Sequence, residues 1–286
     1  MIEQFRNYLL NEKNLQETSL PEYIRPVKLL LEKCPDFQSI TKYEQVRALL
    51  LSFAAEHRWS KRTLYKYTMG TQEFFKFLTL FSHSEINPIP FIPFRKPPEP
   101  EPEFFDPKEI DQIIYDPHLS LRDMVIVRLL AETGIRRDEC RNINIKDVDF
   151  RTRNILINGK GSRLRYVPFS RDALRLMKFY LVCTKKQGYT GEALFYGQVI
   201  GHGAGGRISR SALNKKMSRL SAKKGFRIHP HKFRHSVGGR MIGEQEAPET
   251  VVQKILGHAN LNMTAKYTHY KPKQLQKFHD QFAKTL

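Results

Sequence analysis

The chain has 286 residues, and its 48 Lys and Arg against 29 Asp and Glu give a formal net charge of +19 at pH 7. That length is enough for two modest domains with a core each, and such a charge asks for a polyanionic partner, because every neutralised phosphate releases condensed counterions. Nucleic acid fits better than an anionic membrane surface, since the basic residues run along the whole chain and no stretch nears the roughly 18 consecutive apolar residues of a membrane span.

The chain opens Met1-Ile2-Glu3-Gln4-Phe5, with no basic segment followed by an apolar run. That start predicts no signal peptide and a cytoplasmic protein. Apolar residues at helix spacing in Ile2–Leu10, Tyr23–Leu31, Val46–Ala55 and Leu64–Leu78 predict a small helical bundle over residues 1–86. At the start of its last helix, Lys61, Arg62 and Lys66 crowd the first turns, where the positive end of the helix dipole also suits a phosphate. They are candidate DNA-binding residues; a solvated basic face accounts for them equally well.

Residues 87–107 hold eight prolines. Proline removes backbone donors and pushes its predecessor toward extended conformations, so the segment is expected to be a semi-rigid linker outside any helix or sheet. A second domain then spans 108–286. Asp106 and Pro107 form an N-cap and first position for a helix to Tyr115, and Leu119–Glu132 is the next helix. Asn154–Ile157 and Arg165–Phe169 are extended runs around Gly159-Lys160-Gly161-Ser162, a β-hairpin with a basic tip. Helical patterns return at Ser170–Val182, Ser209–Lys224, Lys232–Ile242, Pro248–Leu256 and Gln274–Lys284. The fold class is therefore mainly α with a small β-hairpin or sheet. Cys34, Cys140 and Cys183 are odd in number and far apart, which suits packed reduced thiols rather than a disulfide framework or a Cys-based zinc site.

Three clusters in the second domain carry cations and imidazoles: Thr133–Glu139, His231–His235, and Leu256-Gly257-His258 followed by Tyr267-Thr268-His269. Guanidinium forks hold the non-bridging oxygens of a phosphodiester bidentately, so Arg136 and Arg234 are candidates for a phosphate clamp. Each could instead cap helix carbonyls or pair with a carboxylate such as Glu139. His231 and His235 share the i, i+4 spacing of metal ligands but lack an acidic or cysteine third ligand nearby, and turn chemistry explains Asp147 and Asp149 without an ion. A tyrosine hydroxyl attacks at neutral pH only with cations or an imidazole at hand. Tyr267 has Lys266 and His269 beside it, with Tyr270 as its rival.

In one order the chain shows T-G-x-R-x-x-E at Thr133 to Glu139, G-K-G at Gly159 to Gly161, H-x-x-R-H at His231 to His235, and L-G-H with Y-T-H at Leu256 to His269. Together these resemble the tyrosine recombinases, the phage-integrase or Xer-like family. Arg137 and Cys140 depart from the usual pattern in the first motif without touching a proposed catalytic position. The resemblance covers essentially the whole chain and implies a core-binding helical domain, a linker and a catalytic domain. It implies Tyr267 as nucleophile, Arg136 and Arg234 as clamp, Lys160 as proton donor to the leaving oxygen, His231 as assisting proton transfer from Tyr267 and His258 as hydrogen-bonded to the phosphate. Also implied are double-stranded DNA as partner, a homotetramer on two duplexes, and neither metal nor other cofactor. A type IB topoisomerase-like relaxing enzyme and a non-catalytic DNA-binding regulator are the alternatives, with zinc-dependent hydrolysis behind them.

Overall fold

In the computed structural model, which describes residues 1–37, 40–81, 87–89, 94–159, 163–197, 206–243 and 247–257, short polar side chains set most of the longer helix starts. Ser60, Ser120, Ser170 and Ser209 each accept a hydrogen bond from the backbone N–H three residues on, satisfying donors that the first turn leaves without partners. The chain divides into two compact units, Met1–Pro100 and Glu101–Leu286.

The first unit is built from α1 (Ile2–Asn11), α2 (Leu20–Lys33), α3 (Tyr43–Glu56) and α4 (Lys61–Leu80). Phe5, Leu9, Val27, Leu30, Val46, Leu50, Phe74, Phe75 and Leu78 are all buried in its core. Each such side chain contributes about 1.5–3 kcal/mol on leaving water. Helices α2, α3 and α4 begin three residues before the apolar periodicity does; for α3 and α4 the first turn is held by a cap, Gln45 accepting from Lys42 N and Ser60 from Thr63 N, and need not be apolar. Gly70 lets α4 pass close over α2: a Cβ there would lie 2.9 Å from both the Glu22 carbonyl oxygen and the Tyr23 Cα.

None of the described residues between 87 and 106 lies in a helix or strand, as the prolines require. Both ends of the segment are nonetheless packed. Ile89 is buried in the first unit's core. Phe105 is buried in the second, and its backbone N–H donates to Ser236 Oγ at 2.7 Å. Asp106 caps the following helix as expected, accepting from Lys108 N while Glu109 accepts in return from Asp106 N.

The second unit contains α5 (Pro107–Ile114), α6 (Leu121–Thr133), α7 (Arg137–Asn142), β1 (Val148–Asp149), β2 (Asn154–Asn158), β3 (Leu164–Pro168), α8 (Arg171–Lys186), α9 (Arg210–Lys224), α10 (Pro230–Gly243) and α11 (Glu249–Leu256). Helix α6 buries Val125, Ile126, Val127, Leu129, Leu130 and Ala131 and packs between α8 and α10. A helix that buries most of its surface, its charged residues Arg122, Asp123, Arg128 and Glu132 held in ion pairs, belongs at the centre of its domain. The expected hairpin is present as β2 and β3, and β1 adds a third antiparallel strand beside β2. The acids just before and at the end of β1 serve turns: Asp147 accepts from Asn144 N, and Asp149 from Arg151 N, Thr152 N and Thr152 Oγ1. Among the described residues no helix is long and apolar enough to cross a membrane. The expected helix Gln274–Lys284 lies outside the described residues.

Candidate active site

Helix α6 ends at Gly134, whose φ of +61° is left-handed. The chain then runs through Ile135 and Arg136 into α7, with Arg136 as the N-cap residue. Two constraints act on Gly134. Its φ disfavours any Cβ, and a Cβ there would lie 2.8 Å from Leu256 Cδ2 and 3.2 Å from Val237 Cβ, so α10 and α11 pack directly on this turn. Gly134→Ala is expected to cost about 2–4 kcal/mol of stability, the sum of left-handed strain and overpacking. Urea denaturation of the variant beside wild type measures it.

In the first turn of α7, Glu139 is a buried carboxylate, 8 % exposed. Its Oε2 accepts from Arg136 N at 2.9 Å and Arg165 Nη2 at 2.7 Å, and its Oε1 from Arg136 Nη1 at 2.9 Å and Arg165 Nη1 at 3.1 Å. Burial pushes the carboxyl upward, but the hydrogen bonds and charges of Arg165 and Arg136 outweigh it and hold the group at about 2. Glu139 is thus ionised at neutral pH and fixes the orientation of both guanidinia.

Arg136 also donates through Nη2 to the Gly257 carbonyl at 3.1 Å. Its side chain is 27 % exposed, and a guanidinium has five N–H donors. The pairing with Glu139 therefore coexists with capacity for an incoming anion. Arg234, in α10, is buried and donates from Nη1 to the Gly134 carbonyl at 3.0 Å. The carbonyl that orients Arg234 lies two residues ahead of Arg136 on one turn. The neighbouring Arg137 is directed elsewhere, to Asn214 Oδ1 at 2.9 Å and Asp138 Oδ2 at 3.2 Å.

His231, in the first turn of α10, is exposed. Partial desolvation and then the positive charges of Arg234, Arg136 and Arg137 push its pKa below the ordinary imidazole value, against a smaller opposing pull from Asp138. At neutral pH the ring is therefore uncharged and able to accept a proton. Next to it Lys232 is buried, with Nζ 3.3 Å from Glu109 Oε2 and 4.4 Å from the Phe105 ring centroid. That lysine secures α10 to the segment entering the unit.

Arg136, Arg234 and His231 are brought together, then, by the α6–α7 turn and α10. Lys160, His258 and Tyr267 lie outside the described residues, but the glycines preceding the first two do not. A Cβ at Gly159 would meet Arg165 Nη1 at 3.2 Å and Glu139 Oε1 at 3.5 Å, and one at Gly257 would meet the Arg165 guanidinium at 2.9 Å. In the first unit Lys61, Arg62 and Lys66 are exposed. Lys66 pairs with Glu22, and Arg62 lies 4.0 Å from Glu99. Cys140 is fully buried, and burial pushes its thiol up to about 12. No group of three or more His, Cys, Asp and Glu side chains among the described residues is arranged for a metal ion.

Arg165 escaped the sequence reading. In β3 it stands opposite Ile157, and its neighbours Leu164 and Tyr166 are 64 % and 68 % exposed. A strand that exposes Leu and Tyr and largely covers Arg inverts the usual alternation; the one signal in the sequence is that Arg165 shares a strand face with Val167, which is buried.

Residues 103–274 match the family model described as the phage integrase family. A tyrosine recombinase XerC of Oceanobacillus iheyensis is 31 % identical over 283 residues, covering 94 % of this chain and 90 % of that protein. A XerC of Bacillus subtilis is 29 % identical, covering 96 % and 93 %. Among solved structures, the XerH site-specific recombinase bound to palindromic difH substrate, a post-cleavage complex, has a TM-score of 0.75 at 20 % identity, covering 99 % of this chain and 85 % of that one. The Tn1549 transposon integrase in complex with a circular intermediate DNA has a TM-score of 0.74 at 17 % identity, covering 98 % of each.

Proposed function

The chain belongs to the phage integrase family and is a tyrosine recombinase, and from that premise we propose that it cuts and rejoins specific DNA sites through a 3′-phosphotyrosine link. Arg136 and Arg234 hold the non-bridging oxygens of the scissile phosphate and offset the charge that builds there in the transition state. Tyr267 Oη attacks phosphorus as its proton passes to the neutral His231. The bond from phosphorus to the 5′-oxygen breaks, and Lys160 protonates that oxygen, leaving a 5′-hydroxyl. His258 donates a hydrogen bond to the phosphate. Attack by the 5′-hydroxyl of a partner duplex then reverses the step and joins the exchanged strands through a four-way junction. The ester is conserved throughout, so the cycle consumes no nucleotide.

The partner is double-stranded DNA in the cytoplasm, engaged as a homotetramer on two duplexes, with Lys61, Arg62 and Lys66 contacting phosphates. The observation that carries this reading is the convergence of two ordered guanidinia and an imidazole of lowered pKa at one turn, in a chain with a net charge of +19. The test is trapping on nicked duplexes taken from the DNA flanking the coding sequence, in chelator and without nucleotide. Covalently attached protein and a free 5′-hydroxyl are expected. A site that is bound and never forms an adduct would instead favour the DNA-binding regulator.

A further inference from the structure

We propose that Arg165 is a positioning residue for strand cleavage, locking the Arg136 guanidinium and the end of α11, which in sequence precedes His258, onto strand β3. The inference rests on the recombinase reading above. Its basis is the reach of one side chain. The Arg165 guanidinium, 10 % exposed, places Nη1 and Nη2 on the two oxygens of Glu139 and donates from Nε to the Ile255 carbonyl at 2.9 Å. Through Glu139 it fixes both the backbone and the side chain of Arg136. Through Ile255 it holds the last turn of α11, whose next carbonyls include that of Gly257, the second acceptor of Arg136.

Three segments far apart in sequence therefore meet on one planar group. These are the α6–α7 turn with Arg136, the hairpin strand β3, and the end of α11 just before His258. Gly159 and Gly257, which in sequence precede two further proposed catalytic residues, both approach the same guanidinium closely. A lysine cannot replace this arrangement, because an ammonium lacks the fork that engages two carboxylate oxygens and a carbonyl in one plane. Positioning of this kind acts on the rate of the chemical step, where a displacement of about 1 Å can cost about 100-fold. DNA affinity, which is spread over many phosphate contacts, is left largely intact.

The experiment compares wild type, Arg165→Gln, Arg165→Lys, Glu139→Gln and the double variant Arg165→Gln/Glu139→Gln. Site affinity is read by fluorescence anisotropy, and single-turnover adduct formation is read on a nicked duplex at saturating protein. Circular dichroism establishes the temperature at which each variant is folded. For Arg165→Gln the expected result is affinity within about 3-fold of wild type and cleavage slower by about 100-fold. The double variant should be no slower than the worse single variant, as for groups acting as one unit. If Arg165→Gln is unfolded, Arg165→Lys carries the test, with about 10-fold slower cleavage expected at near-normal affinity. Cleavage at the wild-type rate, or affinity and rate falling together with the folded fraction, overturns the inference alone. Absence of adduct with wild type on every bound site overturns the recombinase reading instead.

Discussion

Tyr267→Phe is expected to abolish the covalent protein–DNA adduct on a nicked site, by more than about 1000-fold, while Tyr270→Phe forms it at close to the wild-type rate. The variant differs by one oxygen, the atom proposed to form the bond to phosphorus, and a phenyl ring has no other group that can take its place. An unperturbed phenol has a pKa near 10, so roughly one molecule in a thousand is phenolate at neutral pH. Attack therefore depends on a proton acceptor and on cations at the phosphate. In the proposed mechanism the uncharged His231 ring is the first and the ordered Arg136 and Arg234 are the second. DNA binding should survive the substitution, because affinity is carried by phosphate contacts across the protein. Denaturing gels of trapped complexes beside an anisotropy titration give both readings. An adduct that survives in Tyr267→Phe and vanishes in Tyr270→Phe would move the nucleophile three residues along the chain.

Glu139→Gln should be a costly change in the second unit despite its conserved shape, lowering stability by about 3 kcal/mol. The neutral amide leaves two guanidinia beside a buried site without their counter-charge, and breaking one member of such a group costs about 3–5 kcal/mol. The pH dependence provides an independent check. The folded carboxyl is held at about 2, below its ordinary 4.5. Its contribution is therefore present above about pH 4.5 and is lost as pH falls through about 2. A displacement of that size corresponds to about 3 kcal/mol at about 1.4 kcal/mol per unit. Asp116, Asp123 and Asp138 are also depressed by basic partners, so the wild-type acid limb reflects several groups. The difference between the wild-type and Glu139→Gln melting curves from pH 2 to 6 isolates Glu139. Equal acid sensitivity of the two proteins would show that the ionic node contributes nothing to stability.

Much of this protein could be read along the chain. Most helices announced themselves by apolar spacing, and Asp106 with Pro107 announced a helix start that the structure shows, Asp106 accepting from Lys108 N. The pairing of Arg136 with Glu139 was also legible, since three residues across a helix start is within reach of both side chains. Family membership followed from motifs that are local in sequence. These features share one physical origin: caps, turns and periodicity act over a few residues, so neighbours in sequence suffice to specify them.

What required the folded chain is everything that depends on distant segments meeting. Arg165 lies 26 residues from Glu139 and 90 from Ile255, and its position on a strand said nothing about the two elements it joins. Arg234 reaches a carbonyl 100 residues away, at Gly134. Arg137, adjacent to Arg136, points to α9 instead because Asn214 and Asp138 are there to receive it. Even the lowered pKa of His231 depends on the fold, first through partial burial, then through Arg234 one turn along its own helix and through Arg136 and Arg137 on a distant helix start. Electrostatic and hydrogen-bonding partners are set by distance in space, and in this chain only the packing of α6, α10, α11 and the sheet brings those distances down to a few ångströms.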